Sequence, residues 1–116
     1  MTKLIAMLST GKGSWAQVSE LIASEQWEEV ILMTNQFGKE KFTTDADLLV
    51  FNLDDPVEEL SEQMFKALQG YTLGLEVAVN MTSGTGKEHM ALFSAIIRHG
   101  CAIRLVYAKD KVMKAL

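Results

Sequence analysis

Residues 75–89, LEVAVNMTSGTGKEH, constrain this chain more than any other stretch. Positions 75–80 are rich in aliphatic and β-branched side chains and too few for a helix, which predicts a fully buried strand. A polar turn, Thr82-Ser83-Gly84-Thr85-Gly86, then runs directly into a helix beginning at Lys87. Thr85 is the predicted cap of that helix, with Glu88 at the capping-box position. Backbone N–H groups, small hydroxyls and one cation thus gather where a strand ends and a helix begins, a place that binds anions readily. We take this turn as the candidate ligand site. Lys87 strengthens the choice, because a cation at a helix N-terminus opposes the macrodipole and is oddly placed for a merely solvated lysine.

The rest of the chain alternates short apolar runs with amphipathic ones. Residues 4–8 read as a first strand, ended by Ser9-Thr10-Gly11-Lys12-Gly13. Ser14 is the predicted cap of the next helix, with Gln17 completing a capping box, and Trp15, Val18, Leu21 and Ile22 face the sheet at helical spacing. A second strand covers 30–33, with Trp27 closing the bottom of the core. Residues 35–47, NQFGKEKFTTDAD, show no clean period and read either as a short helix or as an ordered loop. They are barely enough for a parallel crossover.

The third strand is expected over 48–53. Asp55 then caps a helix with Pro56 in its first turn, a buried stripe of Val57, Leu60, Met64 and Leu68, and an end at Gly70. The helix after the fourth strand is expected to bury Met90, Phe93, Ile96 and Ile97 and to stop at Gly100. A fifth strand covers 102–107, and the tail 109–116 is either a short helix or an edge strand. Met7, Met33, Met64 and Met90 are read as core filler, and Cys101 as a small buried hydrophobe.

Strands that are apolar throughout, alternating with helices, predict an α/β domain over 1–116. It is a three-layer Rossmann-like sheet, mainly parallel, of order 3-2-1-4-5. Right-handed crossovers from a central strand place the reversal of direction between the first and fourth strands. The two glycine-containing turns therefore converge on one crevice. That makes Ser9, Thr10, Gly11 and Lys12 candidate ligand contacts, together with Thr82, Ser83, Gly84, Thr85, Gly86 and Lys87.

Composition narrows what the crevice serves. With 116 residues, 48% hydrophobic and 22% charged, the chain has material for one core. A net charge of -4 argues against a broad duplex-binding surface, since nonspecific nucleic-acid affinity rests on many cationic phosphate contacts. One cysteine excludes an intrachain disulfide and fits a reducing compartment; with no spanning run and no signal-peptide core, the expectation is a cytoplasmic protein. Gly11 and Gly13 are followed by Ala16, a weak form of the dinucleotide fingerprint, and Asn35 and Gln36 stand where a ribose-binding carboxylate belongs. Glu88 follows Lys87 where a Walker loop needs Ser or Thr. A dehydrogenase and an NTPase are both disfavoured. Asp54 and Asp55 invite a magnesium site, but Asp55 is accounted for as a cap, so no metal or other cofactor is expected.

The segment Asn80-Met81-Thr82-Ser83-Gly84-Thr85-Gly86-Lys87, then Met90-Ala91 and Gly100, resembles the CRISPR-associated Rossmann-fold (CARF) family. The first strand with Ser9-Thr10-Gly11 and the aspartate-rich end of the third strand extend the resemblance over most of the chain. Two departures stand out: Gly86 intervenes between Gly-Thr and Lys87, and the chain carries no effector domain of the kind such sensors usually have.

The resemblance implies binding of the cyclic oligoadenylate second messengers of type III CRISPR defence, in a pocket shared by a homodimer. The ligand is then either cleaved, as by a ring nuclease, or sensed and reported through a partner protein. Cleavage would need no metal: a ribose 2′-OH attacks the adjacent phosphate while the protein holds the geometry and stabilises charge. Lys87 would supply that charge, with Ser9 or Thr10 positioning the phosphate, and these three are the candidate catalytic residues. His89, about 200° around the helix from Lys87, is a weaker candidate for contact. The remaining alternative is an unrelated small α/β subunit whose surface, rather than a pocket, does the work.

Overall fold

The computed structural model describes residues 2–9 and 12–116. Strand β1 (Lys3–Leu8) leads into α1 (Lys12–Ala23), followed by β2 (Glu29–Thr34), α2 (Gln36–Lys41) and β3 (Asp47–Val50). Helix α3 (Val57–Leu68), β4 (Glu76–Asn80), α4 (Gly86–Arg98), β5 (Ala102–Lys109) and β6 (Val112–Ala115) complete the chain. The sheet has the order β3-β2-β1-β4-β5-β6. All pairings are parallel except β5 with β6. This is the expected Rossmann-like order with one strand added. The tail forms that strand because Asp110 and Lys111, at φ of 54° and 63°, make the two-residue reversal that suits an antiparallel hairpin.

Both faces of the sheet are covered, which is why the middle of each central strand, Leu4–Leu8, Val30–Met33 and Val77–Val79, is apolar on both sides. Leu4, Ala6 and Leu8 of β1 pack with Val18, Leu21 and Ile22 of α1 on one side, joined by Trp15 and, at the lower end, Trp27. Ile5 and Met7 face the other way, onto Leu60, Met64 and Leu68 of α3 and Ala91, Leu92, Ala95 and Ile96 of α4. No helix among the described residues is long and apolar enough to cross a membrane.

Four local expectations are corrected. Helix α1 begins at Lys12, so Ser14 lies inside its first turn and is not its cap; docking of Val18 and Leu21 on the sheet outweighs the local capping preference. Strand β3 stops at Val50, not at 53, because its partner β2 ends at Thr34, the residue opposite Val50. Phe51 and Leu53 then dip into the core beneath α3.

Asp55 does not cap α3. Pro56 occupies that position with ψ at 153°, which keeps the chain extended one residue longer, and no side chain caps the helix. The Asp55 carboxylate instead accepts from Gln63 Nε2 at 3.0 Å. Finally, α4 buries Ala91, Leu92, Ala95 and Ile96, whereas Met90 and Ile97 are 63% and 62% exposed and Phe93 is half-buried. The small residues let α4 lie close to α3, near enough for Ser61 to hydrogen-bond Ser94 at 2.9 Å. Met90 is therefore no core filler, although Met7, Met33 and Met64 are.

Candidate ligand site at the carboxyl edge of the sheet

Strands β1 and β4 are neighbours, with Ala6 opposite Asn80, so the turns that follow them leave the sheet at the same edge. A direct bond joins them. The Ser9 amide donates to the Ser83 hydroxyl at 2.9 Å across 74 positions of sequence, and both residues are buried. Thr10 and Gly11, and the side chain of Lys12, lie outside the described residues.

The turn after β4 is braced from every side. Asn80, buried at the end of the strand, donates through Nδ2 to the Thr82 hydroxyl at 3.0 Å and to the Val106 carbonyl at 2.9 Å. Its Oδ1 accepts from the Thr82 amide at 3.3 Å. The Ser83 carbonyl is held by the His89 ring at 2.8 Å. Gly84 has φ of +107°, where side chains are rarely accommodated.

The expected capping box is present: the Glu88 amide donates to Thr85 Oγ1 at 3.3 Å, and the Thr85 amide to the buried Glu88 carboxylate at 3.0 Å. The amides of Gly86 and Lys87 remain as the helix's open donors. Because the box closes the helix start, Thr85→Ala is expected to cost about 1 kcal/mol of stability, with Thr85→Ser restoring most of it, as read by chemical denaturation.

Lys87 is not free over the turn. Its ammonium donates to the Asp55 carbonyl at 2.9 Å and so ties α4 to the segment entering α3. Set against the macrodipole, it has found a backbone oxygen in the neighbouring loop. His89 is likewise committed to the Ser83 carbonyl, which agrees with its lying away from Lys87.

An open cleft of about 550 Å³ lies at this edge, on the β1-β2-β3 side. Ser9 and Glu88 form one wall, Asn35, Gln36 and Phe37 another, and Phe51, Asn52 and Asp54 a third. Of the candidate residues described, Ser9 lines it directly; Thr82 instead lines a second opening of about 430 Å³ between the ends of β4 and β5. Of the turn at 82–87 only Thr82 lines either cavity, and the first cleft is reached from this side by Ser9 and by Glu88 of α4.

No protein-family model matches this chain, and no curated protein matches it. The chemistry of the edge is set by its own atoms: one ammonium, open amides at the start of α4, and a cleft with amide, aromatic and carboxylate walls. Sequence reasoning did not place Phe37 or Asn52 at this edge, and weighed Asn35 and Gln36 only as standing where a ribose-binding carboxylate belongs. The signal for them was general, since each stands just beyond the carboxyl end of a parallel strand, where open α/β sheets bind ligands. Cys101 sits at the opposite edge, before β5, buried and bonded to the Gly74 carbonyl at 3.4 Å. Burial pushes its thiol pKa up, away from reactivity.

Proposed function

We propose that this protein is a CARF-like cytoplasmic sensor that binds cyclic oligoadenylate of type III CRISPR defence at the edge where β1 and β4 end. The observation that carries the reading is the Ser9 to Ser83 bond, which locks two distant turns together beside the cleft. Phosphates of the ring meet the open amides at the start of α4 and the Lys87 ammonium, which exchanges its Asp55 carbonyl for a phosphate oxygen. A cleft on one chain covers only part of a large ring, so a second copy supplies the other half. Met90 and Ile97, exposed two turns apart on α4, support such a homodimer.

Binding without turnover is favoured over ring cleavage. His89, the nearest candidate for a general base, is engaged through Nε2 with the Ser83 carbonyl. The signal then passes to a partner protein.

The test is incubation with radiolabelled cyclic tetra- and hexa-adenylate, read by mobility shift and by chromatography for linear products, with light scattering for the oligomeric state. Retention of at least one ring without linear products is expected. Lys87→Ala is expected to weaken it about tenfold or more, since a hydrogen bond to a charged group contributes about 1.5–3 kcal/mol. Linear products would make the protein a ring nuclease instead. Retention of neither ring would overturn the reading.

A further inference from the structure

Strands β5 and β6 are covered by a helix on one side only. Val106, Ala108 and Met113 pack with Leu21 and Ile22 of α1, and a bond from the Lys111 amide to the Glu20 carboxylate fastens the hairpin to that helix. The opposite side is open. Helices α3 and α4 stand there over β1, β2 and β4, and because Asp110 and Lys111 turn the chain straight back into β6, no connection crosses the last two strands. We infer that this open face of β5 and β6 is the docking surface for an acidic amphipathic helix of a partner protein. The inference does not rest on the identity of the ligand at the neighbouring edge.

Side chains alternate across a strand, so the residues between those that face α1 point the other way. These are Leu105, Tyr107 and Lys109 of β5, with Val112 and Lys114 of β6 opposite Lys109 and Tyr107. Leu116 extends the row, its amide donating to the Leu105 carbonyl at 2.9 Å. None of these residues is buried, and Val112 and Leu116 are 52% and 86% exposed. Apolar side chains left open together on a sheet face mark an interaction surface.

Shape selects a helix. Neighbouring strands lie about 4.8 Å apart and a helix is about 10 Å across, so one helix laid beside α4 spans both strands and completes the layer that α3 and α4 begin. From Leu105 to Lys109 the face runs about 13 Å, the length of about nine helical residues. The cavity of about 430 Å³ at its carboxyl end, lined by Leu105, Tyr107 and Leu116, takes an apolar side chain from that end of the helix.

Charge selects the sequence of that helix. Lys109 and Lys114 are both exposed on the open face, and no acidic side chain shares it with them on β5 or β6. Carboxylates flanking the apolar stripe of an incoming helix meet both ammoniums, which confers selectivity more than affinity. A second copy of this chain is the poorer occupant, because a two-fold contact sets the same patch on both sides and would bring the ammoniums of one copy against those of the other. The homodimer contact proposed through Met90 and Ile97 uses different residues.

The test uses the full chain and two fluorescein-labelled peptides of about 18 residues, long enough to form a helix. One carries Leu at i, i+3, i+4 and i+7 flanked by Glu; the other has Lys in place of each Glu. Fluorescence anisotropy is expected to show the Glu peptide binding about tenfold more tightly than its Lys twin. Val112→Asp is expected to weaken the Glu peptide about tenfold or more while the melting temperature stays near wild type, since the side chain is exposed. Lys109→Glu combined with Lys114→Glu should reverse the preference, a gain for the Lys peptide that misfolding cannot mimic. Equal binding of the two peptides, a preference that survives the double charge reversal, or no binding of the Glu peptide overturns the inference. Light scattering in which Val112→Asp converts a dimer to a monomer overturns it too, because a second copy then covers the face.

Discussion

Gly38→Ala is expected to lower the melting temperature of this protein by roughly 10 °C, although it places a better helix former inside a helix. An alanine Cβ at 38 would stand 1.9 Å from the Thr34 hydroxyl oxygen and 3.2 Å from its Cβ. Thr34 has no room to move: it is fully buried and its hydroxyl donates to the Leu8 carbonyl at 2.6 Å. Helix propensity favours alanine by about 1 kcal/mol. Overpacking costs about 1–3 kcal/mol, and breaking the buried Thr34 to Leu8 bond costs about 1–3 kcal/mol more. The unfavourable effects win by about 1–5 kcal/mol, the middle of which gives the stated shift for a domain of this size. Adding Thr34→Ala should recover part of the loss, because the two residues share one contact and their effects will not add. An unchanged or raised melting temperature for Gly38→Ala would show that α2 docks elsewhere. The variant should also weaken any ligand held by the cleft, since Phe37 and Asn35 ride on the same segment.

The Gly38 contact illustrates what the sequence conceals. The order of the sheet was legible because each parallel strand is a short apolar run bounded by polar turns, and because a chain alternating strand and helix has few un-knotted, right-handed solutions. The start of α4 was legible for a local reason: Thr85 and Glu88 satisfy each other within four residues. The buried face of α4 was not. Reading the largest side chains as inward-facing chose Met90 and Ile97, but the helix approaches α3 through Ala91 and Ala95, and close approach selects small residues over large ones. Asp55 failed as a cap for a related reason, since where α3 begins depends on the extended backbone at Pro56 and not on the best capping side chain nearby.

The candidate site divides along the same line. That Ser9 and the turn at 82–87 would meet followed from topology, and the Ser9 to Ser83 bond expresses it. The cleft beside them did not follow, because it depends on β3 ending at Val50 and on α2 docking over Thr34. Neither leaves a periodic trace in residues 35–47. Lys87 shows the intermediate case: its location was legible, but its hydrogen bond to a carbonyl 32 positions away was not.

Gly84→Ala is expected to damage both stability and binding, and it tests the turn more directly than any change of a polar residue. At φ of +107° a side chain is already strained, and the left-handed penalty for an L-residue is about 1–2 kcal/mol. The new Cβ would also lie 2.9 Å from Met7 Cγ, 2.9 Å from the Glu88 carboxylate and 3.0 Å from the His89 ring. Met7 is packed in the core, and Glu88 and His89 are the groups that hold Thr85 and Ser83, so the strain falls on the braces themselves. With about 1–3 kcal/mol for overpacking, the sum is about 2–5 kcal/mol. Local rearrangement of the turn can relieve part of that, but only by giving up the Ser83 geometry that joins it to Ser9. Retention of cyclic oligoadenylate should therefore fall by more than tenfold even where the melting temperature falls by only a few degrees. Gly86→Ala supplies the contrast for stability: no atom lies within 4 Å of its would-be Cβ and its φ is not positive, so its melting temperature should stay near that of wild type. If Gly84→Ala melts with wild type and retains the ring, the turn does not have the braced conformation from which the site was built.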